Sequence, residues 1–342
     1  MRKGRYVLEF ENPPAITCWA SVGGRTESEG PLGDRFDMVI EDDRFGMDTW
    51  ESAESKLHST SIGLLLNKAG LADRDIDCIY AGDLLNQCAS SGFGIRDFDI
   101  PMCGMYGACS TSVLTMITAA VGVSSGYMRR AIASTSSHFC AAEKQFRLPL
   151  EYGGQRPQTS QRTVTGAGSA LIEPYSGGAY PVIRSAIYGR IADKGVTDAN
   201  NMGAAMAPAA AQTIADFLGD TGTSPGDYDL ILTGDLGRVG SELLAELAEK
   251  QYGVDLSGVH RDTGLMMYFT DEQDVHSGGS GCGCCAAVLC SKIFEDIAAG
   301  RLGRVLVVAT GALLSTVSPL QGESIPGIAH GVLITNGGEN HG

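Results

Sequence analysis

A cysteine set directly before an apolar run is the residue of this chain best placed to do chemistry. Cys109 stands in Gly107-Ala108-Cys109-Ser110-Thr111-Ser112, and residues 110–125 then read as an apolar helix stopped by Gly126. The unpaired N–H groups of a helix start carry partial positive charge, which lowers a thiol pKa. The spacing therefore predicts an exposed, activated thiol; a small residue packed at a helix start is the other reading. His138 follows a strand at 131–135, and His330 lies in a strand at 329–334. Both are expected at equivalent cleft positions with Cys109 between them, against the alternative of core histidines bonded to backbone. Asp83 and Asn86 follow a strand at 76–81, where the mouth of a ligand site should lie. A carboxylate there either caps a turn or meets a calcium ion. Asp235, in the matching position of the second half, reads more simply as a turn cap. Lys144, Arg147, Arg156 and Arg162 form the main basic stretch beside these elements, suited to an anionic ligand or to a solvated loop paired with Glu143 and Glu151. Cys282, Cys284, Cys285 and Cys290 lack the Cys-x2-Cys pairing of a zinc site and read as small-residue packing.

The elements that position these residues repeat. Asp75-Ile76-Asp77-Cys78-Ile79-Tyr80-Ala81-Gly82-Asp83-Leu84 is echoed by Asp227-Tyr228-Asp229-Leu230-Ile231-Leu232-Thr233-Gly234-Asp235-Leu236, 152 positions later. Each copy continues through a small-residue turn into a helix and a strand, with 304–310 echoing 130–136 and 329–334 echoing 168–172. Two copies of strand, glycine turn, helix and strand predict a duplicated α/β unit with a cleft between its halves, divided at 1–175 and 176–342. Asp48 with Glu51 reads as a capping box for a helix ended by Gly70. Pro208 reads as the first residue of a helix over 209–218.

Composition narrows the partners. A net charge of −15 disfavours nucleic acid, and an anionic ligand needs local donors because the overall field repels it. Ten cysteines without paired spacing, in a chain whose start lacks an apolar h-region, suit a reducing compartment. No apolar run reaches the roughly 18 residues of a membrane span, so any membrane contact is expected to be peripheral.

A duplicated unit with Gly-Ala-Cys-Ser-Thr-Ser at the first half's central helix resembles the thiolase superfamily, whose fold is an αβαβα layering of two pseudo-twofold halves. More specifically, the chain resembles the stage V sporulation protein AD family. The strings that carry this run over about residues 5–336 and include Ala81-Gly82-Asp83-Leu84-Leu85-Asn86-Gln87, Thr135-Ser136-Ser137-His138, Gln145-Phe146-Arg147, Glu151-Tyr152-Gly153-Gly154-Gln155, Met206-Ala207-Pro208-Ala209-Ala210-Ala211 and Ile328-Ala329-His330-Gly331-Val332. The resemblance implies a non-catalytic relative of the condensing enzymes that binds dipicolinic acid, as free acid or calcium chelate, and serves its uptake into the developing spore. It also implies a homodimer, peripheral placement at the spore membrane and other stage V sporulation membrane proteins as partners. Asp83, Asn86, Cys109, His138, Arg147 and His330 are then the expected ligand residues, with no cofactor.

The residues agree with an absence of turnover. A condensing cysteine works with His and His or Asn, which in this superfamily sit in two turns of the second half. Here those turns are Thr233-Gly234-Asp235-Leu236-Gly237 and Ser277-Gly278-Gly279-Ser280-Gly281, with only His276 adjoining the second. An acyl-transferring condensing enzyme and a scaffold for a membrane transport complex stand as the rival expectations.

Overall fold

Two helices with almost no exposed face need a sheet on either side, and that requirement organises the molecule. A computed structural model describes residues 1–146 and 156–338. Its principal elements in the first half are β1 (Pro14–Gly24), α1 (Trp50–Ala69), β2 (Cys78–Gly82), α2 (Ala89–Ile95), β3 (Met102–Gly104), α3 (Thr111–Ser124), β4 (Ala131–Ser137), α4 (Phe139–Phe146) and β5 (Gly166–Pro174). The second half has β6 (Pro181–Ile187), α5 (Met202–Thr221), β7 (Leu230–Thr233), α6 (Gly237–Tyr252), β8 (His260–Asp262), α7 (Cys282–Val288), β9 (Arg304–Ala312) and β10 (Gly327–Asn336).

The strands lie in the order β8-β7-β9-β10-β6-β1-β5-β4-β2-β3. Exchanging each strand for its counterpart in the other half reverses this order onto itself, so the duplication read from sequence is a duplication of topology. Within each half only β5 or β10 runs antiparallel to its neighbours. The halves meet where β1 and β6 pair at Ala15 and Val182. The repeat reaches individual hydrogen bonds. Asp77 accepts from the backbone N–H groups of Arg129 and Arg130, and Asp229 from those of Gly303 and Arg304, each tying the start of a core strand to the next.

Helix α3 buries Val113, Met116, Ile117, Ala119, Ala120 and Val123, and α7 is buried at every residue. An all-round apolar helix of this kind belongs between layers. Helices α1 and α5 cover the outer faces, completing five layers. Close approach explains the small residues: a Cβ on Gly283 would stand 2.3 Å from the Gly166 carbonyl oxygen, and one on Gly168 would stand 2.5 Å from that of Ala286. Cys282, Cys284 and Cys285 are fully buried parts of this packing.

Local boundaries differ from the sequence reading in two places. Thr49, not Asp48, caps α1 by accepting from the Ser52 N–H at 3.1 Å, while Gly70 ends it in the left-handed region as expected. Helix α5 opens at Met202 under an Asn201 cap and carries Pro208 inside it. Burial of the alanine-rich face on both sides of Pro208 outweighs the backbone bond that a proline cannot donate.

Two glycine substitutions test this packing in opposite directions. A Cβ on Gly311 of β9 would meet the Gly107 carbonyl oxygen at 2.4 Å, so Gly311→Ala is expected to cost about 1–3 kcal/mol and lower the melting temperature. Gly63, inside α1 with open space around it, should gain up to about 1 kcal/mol as alanine. Calorimetric melting of both variants checks the pair; an unchanged Gly311→Ala protein would contradict the tight seat of the Gly107–Ser110 turn.

Candidate ligand site around Cys109

Cys109 sits at the turn that feeds α3, and the turn is forced into shape. Ala108 adopts φ 51°, a left-handed conformation uncommon for a residue with a side chain. Gly311 leaves room beside it, and Ser110 and Thr111 bond back to the carbonyls of Gly107 and Ala108 at 2.6 Å each. The thiol lands in a narrow cavity of about 30 Å³ walled by Leu84, Tyr106, Phe146, Ser280 and Leu314 among others. None of the described residues on that wall is a lysine, arginine or histidine.

Cys109 is 5% exposed, not the open thiol that its helix-start position predicts. Its Sγ lies 3.9 Å from the Ser280 hydroxyl, which reaches the Asp235 carboxylate at 3.2 Å. Asp235 also accepts from the Gly281 N–H at 2.8 Å and the Thr310 hydroxyl at 2.9 Å. Burial, then the neighbouring Asp235 charge, pushes the thiol well above its ordinary pKa, against the helix-start effect. Burial raises Asp235 in turn to about 6, although the donors around it pull the other way.

The remaining expected site residues do not converge on this cavity. His138 is buried on another side, with Nε2 2.7 Å from the Asp43 carbonyl oxygen and Nδ1 facing the Ala141 N–H. His330 comes nearer: its Nδ1 accepts from the Gly189 N–H at 3.1 Å, and a Cβ on Gly107 would stand 3.7 Å from its Nε2. It therefore backs the Cys109 turn rather than lining the cavity, and burial lowers it to about 4, leaving it neutral. Asp83 is a cap. Its oxygens accept from the N–H groups of Leu85 and Ser91 and the Ser91 hydroxyl, and the side chain is fully buried. Asn86 is exposed, its backbone N–H held by Gln145. Arg147 lies outside the described residues. Lys144 pairs with Glu51, Arg156 with Asp274, and Arg162 stacks over Phe139 at 3.9 Å. His276 pairs with Asp274 at 3.2 Å.

Asp235 is the residue that sequence reasoning placed but did not value. Its signal was the repeat: it is the partner of Asp83. A second buried carboxyl lies behind Asp83. Glu54, on α1, is 1% exposed; its Oε1 meets the Ser136 hydroxyl at 3.2 Å and its Oε2 has no hydrogen-bond partner among the described residues. Burial, with the Asp83 charge next, holds this carboxyl well above its usual range.

A cysteine at a buried helix start, between two pseudo-twofold halves of five strands each, defines a thiolase-like protein. The solved structures agree. 3-Oxoacyl-[acyl-carrier-protein] synthase III from Aquifex aeolicus VF5 has a TM-score of 0.54 at 10% identity, covering 94% of this chain and 99% of its own. OleA from Xanthomonas campestris reaches 0.60 at 14%, covering 96% and 99%. A tetronic acid condensing enzyme reaches 0.60 at 14%, covering 94% and 99%. At such identities the likeness is one of fold. The sequence comparison is narrower: the family model for stage V sporulation protein AD matches residues 4–335. Stage V sporulation protein AD of Bacillus subtilis (strain 168) is 44% identical over 335 residues, 98% of either chain. The chain belongs to the stage V sporulation protein AD family. Among the described residues, no helix is long and apolar enough to cross a membrane.

The Glu54 carboxyl yields a test by pH. Its folded pKa lies above the unfolded value near 4.5, so the folded state holds a proton that the unfolded chain releases. Its contribution is full below that value and drains as pH rises through the folded pKa. Glu54→Gln mimics the protonated side chain at every pH. The melting temperature of Glu54→Gln relative to the parent should therefore climb between pH 5 and pH 8; a constant difference would mean that Glu54 is ionised in the fold.

Proposed function

We propose that the chain binds dipicolinic acid without turning it over and serves dipicolinate uptake in sporulation, as its family resemblance implies. The observation that carries the reading is the wall around Cys109. The thiol is enclosed by apolar side chains, hydroxyls and a carboxylate, with no histidine or asparagine among the described lining residues to take a proton or hold an oxyanion. What remains is an apolar slot with a few polar groups, the makeup of a small-molecule site.

In the form described the slot is closed. About 30 Å³ accommodates one water-sized occupant, whereas drug-sized ligands occupy roughly 300 Å³ or more. A flat pyridine ring enters by parting Phe146 from Leu314. Leu314 is buried against the core with Ile325, but it begins an excursion whose base is closed by the Leu313 N–H on the Pro326 carbonyl and whose tip leaves Leu320 89% exposed, so the segment beyond it is held by few apolar contacts. On this reading Asp83 and Asn86 shape the mouth without touching a cation, and His330 supports the turn that presents Cys109. A homodimer and docking to sporulation membrane proteins belong to the same proposal and rest on the resemblance alone.

Titration calorimetry of the purified chain with dipicolinate, with and without calcium, tests the reading directly. Binding is expected in at least one condition, and Leu314→Trp, which fills the slot from its rim, should weaken it tenfold or more. Saturable binding that Leu314→Trp leaves intact would move the site elsewhere; no binding would remove the proposal. The condensing-enzyme rival is tested on the same protein with acetyl- and malonyl-thioesters. Cys109 should stay unmodified by mass spectrometry, and stoichiometric acylation with turnover would transfer the chain to the enzymes.

A further inference from the structure

We propose that Asp235 is the positioning residue that keeps Cys109 as a neutral S–H donor, through a buried chain running from thiol to Ser280 hydroxyl to carboxylate. The direction of the chain follows from proton count. Ser280 has one hydroxyl proton, and the Asp235 carboxylate, 3.2 Å away, has none to offer when ionised, so Ser280 donates to it. The oxygen of Ser280 then faces Cys109 at 3.9 Å as an acceptor, and the thiol donates. The carboxylate is fixed where it stands by the Gly281 N–H and the Thr310 hydroxyl, neither of which competes for the thiol proton.

Among the described residues that line the cavity, none is a cation that would stabilise a thiolate. Facing the thiol are Tyr106 on its own segment, Glu143 of α4 across the cavity and Cys282 at the start of α7. Facing Asp235 are Asp262, at the end of β8, and Cys284 and Cys285 on α7. These described groups are acids, so the ionisation of Asp235 beside the thiol adds negative charge that disfavours a thiolate. A histidine in the place of Asp235 would accept the thiol proton and leave an ion pair; a carboxylate there repels the anion instead. The arrangement of a condensing cysteine is thereby retained in position and reversed in charge. Cys109 serves a bound molecule as a weak donor and a soft apolar contact.

The assignment rests on the geometry around Cys109 and not on what the cavity binds. Failure of dipicolinate binding would remove the proposed function and leave this inference standing. Alkylation by iodoacetamide, a small neutral reagent, reads the thiolate at each pH. The full-length protein is labelled between pH 7 and pH 10, and each cysteine is quantified by peptide mass spectrometry. Exposed Cys103 serves as the internal rate standard and fully buried Cys282 as the reporter of general opening. Asp235→Asn should label Cys109 at least tenfold faster than the parent at pH 8 and shift its pH profile downward by about one unit or more, with Cys282 still silent. Ser280→Ala should leave Cys109 slow, because the carboxylate that repels the thiolate remains, so its profile should not follow that of Asp235→Asn downward. This contrast separates charge from loosened packing, which would speed both variants. An unshifted profile in Asp235→Asn, a rise accompanied by Cys282 labelling, or faster labelling in Ser280→Ala overturns the inference. If Asp235→Asn does not fold, the Ser280→Ala profile decides it alone.

Discussion

One buried carboxylate joins parts of this molecule that come from four separate segments of the chain. Asp235 follows β7, accepts from the N–H of Gly281 just before α7, binds the Thr310 hydroxyl of β9 and meets the Cys109 turn through Ser280. Burying an ionisable group without partners costs several kcal/mol, and here three donors offset that cost. The consequence is geometric. The starts of the two central helices are held at one point, and the cavity beside Cys109 exists because that point cannot close further.

Small residues are the second condition. Where α7 crosses β5, backbone meets backbone, and the Gly283–Gly166 and Gly168–Ala286 approaches exclude a side chain. Some of the 46 glycines are thus tied to layers that lie close, while others, such as Gly70, Gly222 and Gly253, end helices in the left-handed region. The same closeness gives the thiol its burial. A helix start normally acidifies a cysteine, yet here the sulfur is buried and the neighbouring Asp235 carboxylate is negative, so desolvation and repulsion outweigh the helix end.

This also marks what could be read in the residues beforehand. The offset of 152 positions between Asp77 and Asp229 carried the duplication, because each aspartate performs the same local task in its own half. Strand and helix periods carried the element order for the same reason: they are local. The direction of a side chain at an element's end is not local. His138 follows β4 as expected, but the Asp43 carbonyl, almost a hundred residues earlier in the chain, takes its ring. Cys109 lies where the spacing put it, and only the approach of Ser280 and Asp235 from the other half decides its charge. Thr49 and Asn201 show the smaller error of the same kind, since the hydroxyl beside Asp48 and an amide seven residues before Pro208 cap the helices instead.

Duplication leaves a symmetric fold with an asymmetric centre, and the paired residues show how. Asp83 and Asp235 occupy the same place in the repeat. Asp83 closes on its own segment, through Leu85 and Ser91, while Asp235 reaches across to α7 and toward α3. The cysteines at the two central helix starts diverge in the same way. The Cys282 sulfur donates to the Ser136 carbonyl oxygen at 3.1 Å and is fully buried, whereas the Cys109 sulfur borders the cavity. A pair of equivalent sites would need both cysteines turned to open space and both aspartates reaching outward. The layers are too close for that, since the space that one helix start leaves open is taken by the other. The cavity beside Cys109 therefore lies on the side where Asp235 anchors the turn and Asp83 does not.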